Sequence, residues 1–180
     1  MATHPATSSL GLSGIIGAVA ATLLYQTIPA DEGMKYKAYQ DIIGVWTICA
    51  GDTLNVVPGE VDTQAKCMSR LDSQLSAKAK AVMKLTPGLK AAGLDYPRAG
   101  AVSLGYNVGI GNYAKSSVRR WFNAGKPLAA CSSILLYDKA GGRVVHGLQL
   151  RRRREFQICI TGLSPAARPD NLVARLKAVH

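Results

Sequence analysis

DEGMKYKAYQDIIGVWTICAGDT, residues 31–53, sets an acid, a second acid and a hydroxyl in order: Glu32, then Asp41 after eight intervening residues, then Thr47 after five more. Within the stretch helical periodicity gives way to a short alternating strand pattern (Val45, Trp46, Thr47, Ile48) and then a Gly51-Asp52 turn. A turn there folds the two carboxylates toward one cleft. Hydrolysis of a glycosidic bond needs such a pair, one protonated at the leaving oxygen and one ionised to attack the anomeric carbon or to position or activate water. Glu32 suits the acid and Asp41 the base or water-positioning group. The Thr47 hydroxyl, which donates and accepts, is suited to hold a water between Asp41 and the sugar. Spacing alone leaves a plainer reading open, in which Glu32 ends a helix, Asp41 sits in a turn and Thr47 is an ordinary β-branched strand residue.

Composition describes one domain with an anionic partner. A chain of 180 residues with 48% hydrophobic residues is long enough for one core. The formal charge of +11 points to nucleic acid, anionic lipid or a bacterial cell wall carrying peptide carboxylates. Nucleic acid is set aside, because no zinc-ligand spacing, RNA-recognition aromatic motif or heptad-linked basic region is present. Cys49, Cys67, Cys131 and Cys159 show no metal-ligand spacing, so they are either buried thiols or two disulfides of undetermined pairing. No metal site and no cofactor is expected.

Further along, Thr63 to Leu85 carries a helical apolar stripe at Ala65, Met68, Leu71, Leu75, Ala79 and Val82. Pro97 marks a helix start, Ser116 or Ser117 an N-cap, Gly125 a stop, Gly141-Gly142 a break, and Asp170 the cap of a last short helix. Trp46, Trp121, Phe122 and Tyr137 read as core. Arg151 to Arg154 reads either as the solvated face of a helix or as a run with one arginine turned inward.

The pattern E, eight residues, D, five residues, T, embedded in EG…AY.D..GVWTIC.G.T, resembles the catalytic signature of glycoside hydrolase family 24, the phage-type lysozymes. YNVGIGNYAKSSVRRWFNAG (106–125), AGGRV (140–144) and GL..RRRREFQICITG (147–162) resemble its later blocks, so the likeness runs from about Asp31 to about Gly162. It implies an α+β, lysozyme-like fold, mainly helical, with a small β-hairpin region beside the active-site cleft. It also implies a monomeric muramidase cutting the β-1,4 bond between N-acetylmuramic acid and N-acetylglucosamine in peptidoglycan, with Glu32 as acid and inversion at the anomeric centre. By the same likeness Arg151 pairs with Glu32, Tyr106 and Asn107 border the sugar groove, and the disulfides join Cys49 with Cys67 and Cys131 with Cys159, which places the protein in an oxidising compartment. One departure is visible: Asp52 stands where the family commonly has His, adding a carboxylate near the cleft mouth.

From Ala2 to Ala30 there is no Lys, Arg, Asp or Glu, and Leu10 to Ala30 is long enough to span a bilayer, although Gly, Ala, Ser, Thr and Gln make up about half of it. The residues admit a buried core helix, a signal peptide cut near Ala18-Val19-Ala20, or a tether that leaves the membrane; a signal peptide's basic n-region is missing. The GVWTIC wording and the Gly/Ala-rich segment resemble the signal-arrest-release endolysins of lambdoid phages. That resemblance implies a segment at 1–30, held in the inner membrane through residues 10–30, ahead of a lysozyme domain at 31–180 that is released into the periplasm. Glu32 would be pinned at the lipid surface until release, which proceeds without disulfide exchange because no cysteine precedes Cys49. Two non-enzymatic alternatives are a membrane-perturbing protein and a silent peptidoglycan-binding module; both leave the ordered acid, acid, hydroxyl pattern unexplained.

Overall fold

The computed structural model describes residues 11–41 and 43–163; the expected helix at Asp170 lies outside them. The chain opens with α1 (Leu12–Ile16) and α2 (Ala18–Glu32), then an antiparallel pair β1 (Lys35–Gln40) and β2 (Trp46–Cys49), then the long α3 (Gln64–Leu85). After a 3₁₀ turn (Pro87–Lys90) come α4 (Asp95–Val108), α5 (Ile110–Ala114), α6 (Ser117–Asn123) and α7 (Pro127–Ser133). A second 3₁₀ turn (Ile134–Leu136) and a small hairpin, β3 (Lys139–Ala140) with β4 (Arg143–Val144), lead into α8 (His146–Thr161). This is the α+β, largely helical arrangement the sequence implied, with Tyr39 opposite Thr47 and Gln40 opposite Trp46 in the first hairpin.

The apolar N-terminal stretch is folded into the core. It forms two helices broken at Gly17, whose φ of +92° is strained for any side chain and whose added Cβ would sit 2.5 Å from Asp95 Oδ1. Arg98 fastens the break by donating to the carbonyls of Ile16 (3.5 Å), Leu89 (2.8 Å) and Ala91 (2.8 Å) and pairing with Asp95. In α2 the buried residues are Ala20, Ala21, Leu24 and Ile28, one helical face, while Thr22 and Gln26 face out. The Tyr25 hydroxyl donates to Asp72, tying α2 to α3. Leu12, Ile16, Leu24 and Ile28 are at most 1% exposed; at about 1.5–3 kcal/mol per buried aliphatic side chain they supply on the order of 10 kcal/mol, as much as the whole stability of an ordinary domain. Among the described residues no helix is long and apolar enough to cross a membrane, and residue 30, the expected boundary, falls inside α2.

In α3, Thr63 caps the first turn through Lys66 N–H, and Leu71, Leu75, Ala79 and Val82 are buried as the stripe required. Ala65 is exposed instead, because the buried face of α3 runs through Cys67, Leu71, Leu75, Ala79 and Val82 and Ala65 lies off it. Ser116 is the cap of α6. Phe122 is buried, whereas Trp46, Trp121 and Tyr137 are half-buried on the core's margin. The central α4 packs against α8 at Gly100, where a Cβ would meet Cys159 Cβ at 3.0 Å and the Glu155 carbonyl at 3.2 Å. Disulfides join Cys49 of β2 to Cys67 of α3 and Cys131 of α7 to Cys159 of α8.

Candidate active site

Two acids at the C-terminal end of α2 lie where the helix dipole disfavours negative charge, and arginines of α8 compensate. Arg151 Nη1 donates to Glu32 Oε1 at 2.5 Å, Arg151 Nε lies 3.6 Å from Asp31 Oδ2, and Arg154 pairs with Asp31. Burial works against the Arg151 charge, but the Glu32 hydrogen bond and the charges of Glu155, Glu32 and Asp31 outweigh it and hold the guanidinium above the usual arginine value. The Glu32 side chain keeps 26% exposure and faces a cleft of about 430 Å³, lined also by Ala50, Gly51, Asp52, Gln74, Tyr106 and Asn107. A separate apolar hollow of about 500 Å³ between α2 and α8 contains no acid.

Asp41 sits in the turn between β1 and β2. Its Oδ1 accepts from the N–H groups of Ile43 and Val45, both at 2.9 Å, which fixes the carboxylate; among the described residues no hydrogen bond engages Oδ2. Thr47 is buried at 4% exposure, and its hydroxyl donates to the Val45 carbonyl at 3.0 Å, leaving its lone pairs to accept. Glu32, Tyr106 and Asn107 therefore share one cleft, while Asp41 and Thr47 lie on the hairpin whose β2 strand runs into that cleft at Ala50; neither side chain lines it.

The Tyr106 hydroxyl sits between the Ala50 carbonyl (3.0 Å) and the Gln74 side-chain amide (2.8 Å), bracing β2 and α3 against α4. Burial pushes its ionisation up, and the charges of Glu32 and Asp52 add to this. Asn107 Oδ1 accepts from Arg152 Nη2 at 2.7 Å. A guanidinium only donates, so the amide oxygen must face it and the NH2 group is turned away from it.

Asp52, the residue departing from the family pattern, is bound inward rather than free at the cleft mouth. Its side chain is 7% exposed, pairs with Arg70 at 2.9 Å and caps Leu54 N–H at 3.0 Å. Arg70 also binds Asp62 (2.7 Å) and Glu60 (2.5 Å), so one cation gathers three carboxylates from the β region onto α3.

Of the arginine run, two turn inward: Arg151 and Arg152 are 5% and 1% exposed, with Glu155 at 1% beside them. Sequence reasoning singled out neither Arg152 nor Glu155, nor Asp31, Arg154 and Ser103. A signal existed in α8: Phe156, Cys159 and Ile160 define its apolar face, and Arg152 and Glu155 occupy the same face at helical spacing, charges in core positions.

The profile of the phage lysozyme family matches residues 30–155. The chain is 33% identical over 168 residues to a protein named SAR-endolysin from bacteriophage PS34, covering 90% of this chain and 99% of that one. Its fold is similar to the crystal structure of the active form of the P1 phage endolysin Lyz (TM-score 0.72, 22% identity, 84% of this chain and 88% of that chain). It is similar also to a mutant of P22 lysozyme (TM-score 0.68, 29% identity, 81% and 97%).

Proposed function

Since this chain belongs to the phage lysozyme family and is a glycoside hydrolase that lyses peptidoglycan, we propose that Glu32 is its general acid, delivering a proton to the glycosidic oxygen between N-acetylmuramic acid and N-acetylglucosamine. The observation that carries this is the Glu32 carboxyl at the cleft wall, fixed by Arg151 yet open on its far side. Asp41, held by two backbone N–H groups on Oδ1, directs a water through Oδ2 and takes its proton as the water attacks, and Thr47 accepts a hydrogen bond from that water with its free lone pairs. Attack by water with no covalent intermediate inverts the anomeric carbon. Asn107 offers its NH2 group to sugar oxygens and Tyr106 forms part of the wall.

The N-terminus supplies control on this reading. Residues 10–30 carry the protein uncleaved into the inner membrane as a weak anchor, and collapse of the membrane potential releases the protein into the periplasm as a monomer. There the segment folds as α1 and α2. Support comes from α2 itself, which ends at Glu32 and buries the segment's apolar face in the enzyme core: while the segment lies in lipid, the acid is not at the cleft.

Replacing Glu32 by Gln removes the proton and should cut wall hydrolysis at least about a hundredfold, with the fold retained. Clearing of chloroform-treated Gram-negative cells by the purified variant at near wild-type rate would sink the assignment. Fractionation before lysis tests the tether: a protein wholly soluble, or starting near Ala21, would leave an ordinary secreted lysozyme.

A further inference from the structure

α8 buries an ionic triad, Arg151, Arg152 and Glu155, directly behind the cleft. Stability does not account for it. A buried ion cluster costs more desolvation than a set of apolar side chains of the same volume, and among the described residues Arg151 Nη2 and Arg152 Nη1 have no hydrogen-bond partner, while Arg152 Nε and Glu155 Oε2 face each other as an ion pair without hydrogen-bond alignment. Burial pulls the Arg152 guanidinium below its usual value and pushes the Glu155 carboxyl above its own.

The geometry has one organised feature. The far end of each arginine reaches a different cleft residue: Arg151 Nη1 meets Glu32 Oε1 at 2.5 Å, and Arg152 Nη2 meets Asn107 Oδ1 at 2.7 Å. The near ends converge on one carboxylate, Arg151 Nε at 3.2 Å from Glu155 Oε1 and Arg152 Nε at 3.1 Å from Oε2. Ser103, on α4, donates to Oε1 at 2.6 Å and so fixes the rotation of that carboxylate. A guanidinium is a rigid plane, so a group holding its Nε edge sets the direction of its Nη edge.

We propose that Glu155 is a positioning residue with two arms: through Arg151 it aims the carboxyl of Glu32, and through Arg152 it holds Asn107 with its NH2 group toward the substrate. It touches neither sugar nor water. The inference rests on the reading of Glu32 as acid and Asn107 as a substrate contact. The two arms act on different kinetic constants, because misaiming the acid lowers kcat whereas misplacing a sugar contact raises KM.

The test is a pair of double-mutant cycles on the purified full chain with soluble uncrosslinked glycan strands as substrate. Glu155→Gln keeps the volume and one acceptor oxygen while losing the charge that orients both guanidinium planes. It should lower kcat about ten- to a hundredfold, as for misplacement of a reacting group, and raise KM several-fold, with the folded fraction by circular dichroism unchanged. In an Arg151→Met background the same change should leave kcat where it is, and in an Asn107→Ala background it should leave KM where it is. Effects that add in both backgrounds, or activity that falls only in step with the folded fraction, would overturn the proposal and leave Glu155 a structural brace. If Glu155→Gln does not fold, Ser103→Ala decides: a smaller fall in kcat with a smaller rise in KM supports the two arms, and no change in either overturns them. Activity surviving Glu32→Gln would instead overturn the assignment of the acid, while an inactive Glu32→Gln beside additive Glu155→Gln effects overturns this inference alone.

Discussion

Gly17→Ala tests the break between α1 and α2. At φ +92° an L residue occupies a region that costs about 1–3 kcal/mol. The new Cβ would stand 2.5 Å from Asp95 Oδ1, so Asp95 must swing aside and loosen its 2.9 Å pair with Arg98, a partly exposed interaction worth up to about 1 kcal/mol. Together the loss is about 1–4 kcal/mol, which for a chain of this size lowers the melting midpoint by several degrees to on the order of 10 °C. Gly14→Ala is the control, because Gly14 is an exposed residue within α1, where alanine is favoured over glycine by about 1 kcal/mol. The two variants, followed by far-ultraviolet circular dichroism in urea and on heating, should move in opposite directions. On the proposed route the same contrast appears as lysis timing, since an unbroken helix in lipid also prefers alanine at 17 while the folded form resists it. A Gly17→Ala protein melting within a degree or two of wild type would refute the strained break as a determinant of the fold.

Removing the disulfides should cost about 3 kcal/mol for the 18-residue separation of Cys49–Cys67 and nearer 4 kcal/mol for the 28-residue separation of Cys131–Cys159, read as the loss of unfolding free energy of each Cys→Ser pair against the oxidised wild type without reductant. Arg70→Met should destabilise by about 3 kcal/mol, the low end for a broken buried ion pair, because buried Asp52 loses its cation while Asp62 keeps Lys66 at 3.6 Å and Glu60 is partly exposed, and a loss under 1 kcal/mol in urea melts would show those carboxylates find water instead. Burial raises the Glu155 carboxyl, so its contribution to stability is complete below about pH 4.3, the unfolded glutamate value, and is lost as pH rises through the raised folded value. Glu155→Gln cannot ionise and lacks that loss, so the stability of the wild type relative to this variant in urea melts should fall as pH rises across this window, and a pH-independent difference would contradict it.

Legibility in the sequence followed burial geometry. The stripe from Leu71 to Val82 in α3 was readable because one face is buried at helical spacing, and Ala65 misled because an alanine fits the apolar pattern while the buried face begins at Cys67. β1 was not readable as a strand: in Lys35 to Gln40 only Ala38 is buried, so there is no alternation to detect. The break at Gly17 was hidden by apolar residues on both sides of it. Glu32, Asp41 and Thr47 were put forward as the proposed catalytic groups by spacing and resemblance, since the chemistry dictates the residue types. Arg152 and Glu155 were not, because a charged residue in a helix is ordinarily solvent-facing and only the packed position of α8 against α4 shows otherwise.

The burial of α2 has a consequence for how its sequence can drift. On the proposed route each residue from 18 to 30 must satisfy two solvents in turn, hydrocarbon first and a packed protein interior afterwards. Lipid rewards any larger aliphatic side chain, but Ala20 and Ala21, at 0% and 1% exposure, have no room to grow in the folded enzyme. Thr22 and Gln26 weaken the anchor and are the residues that later meet water. The Gly/Ala-rich composition is then the overlap of two incompatible optima: a stronger anchor would enlarge residues the core cannot accept, and a stronger core would add bulk that keeps the helix in the bilayer. Variation in this segment should therefore concentrate at Ala18, Val19 and Ala30, the outward apolar positions, where neither solvent holds a veto.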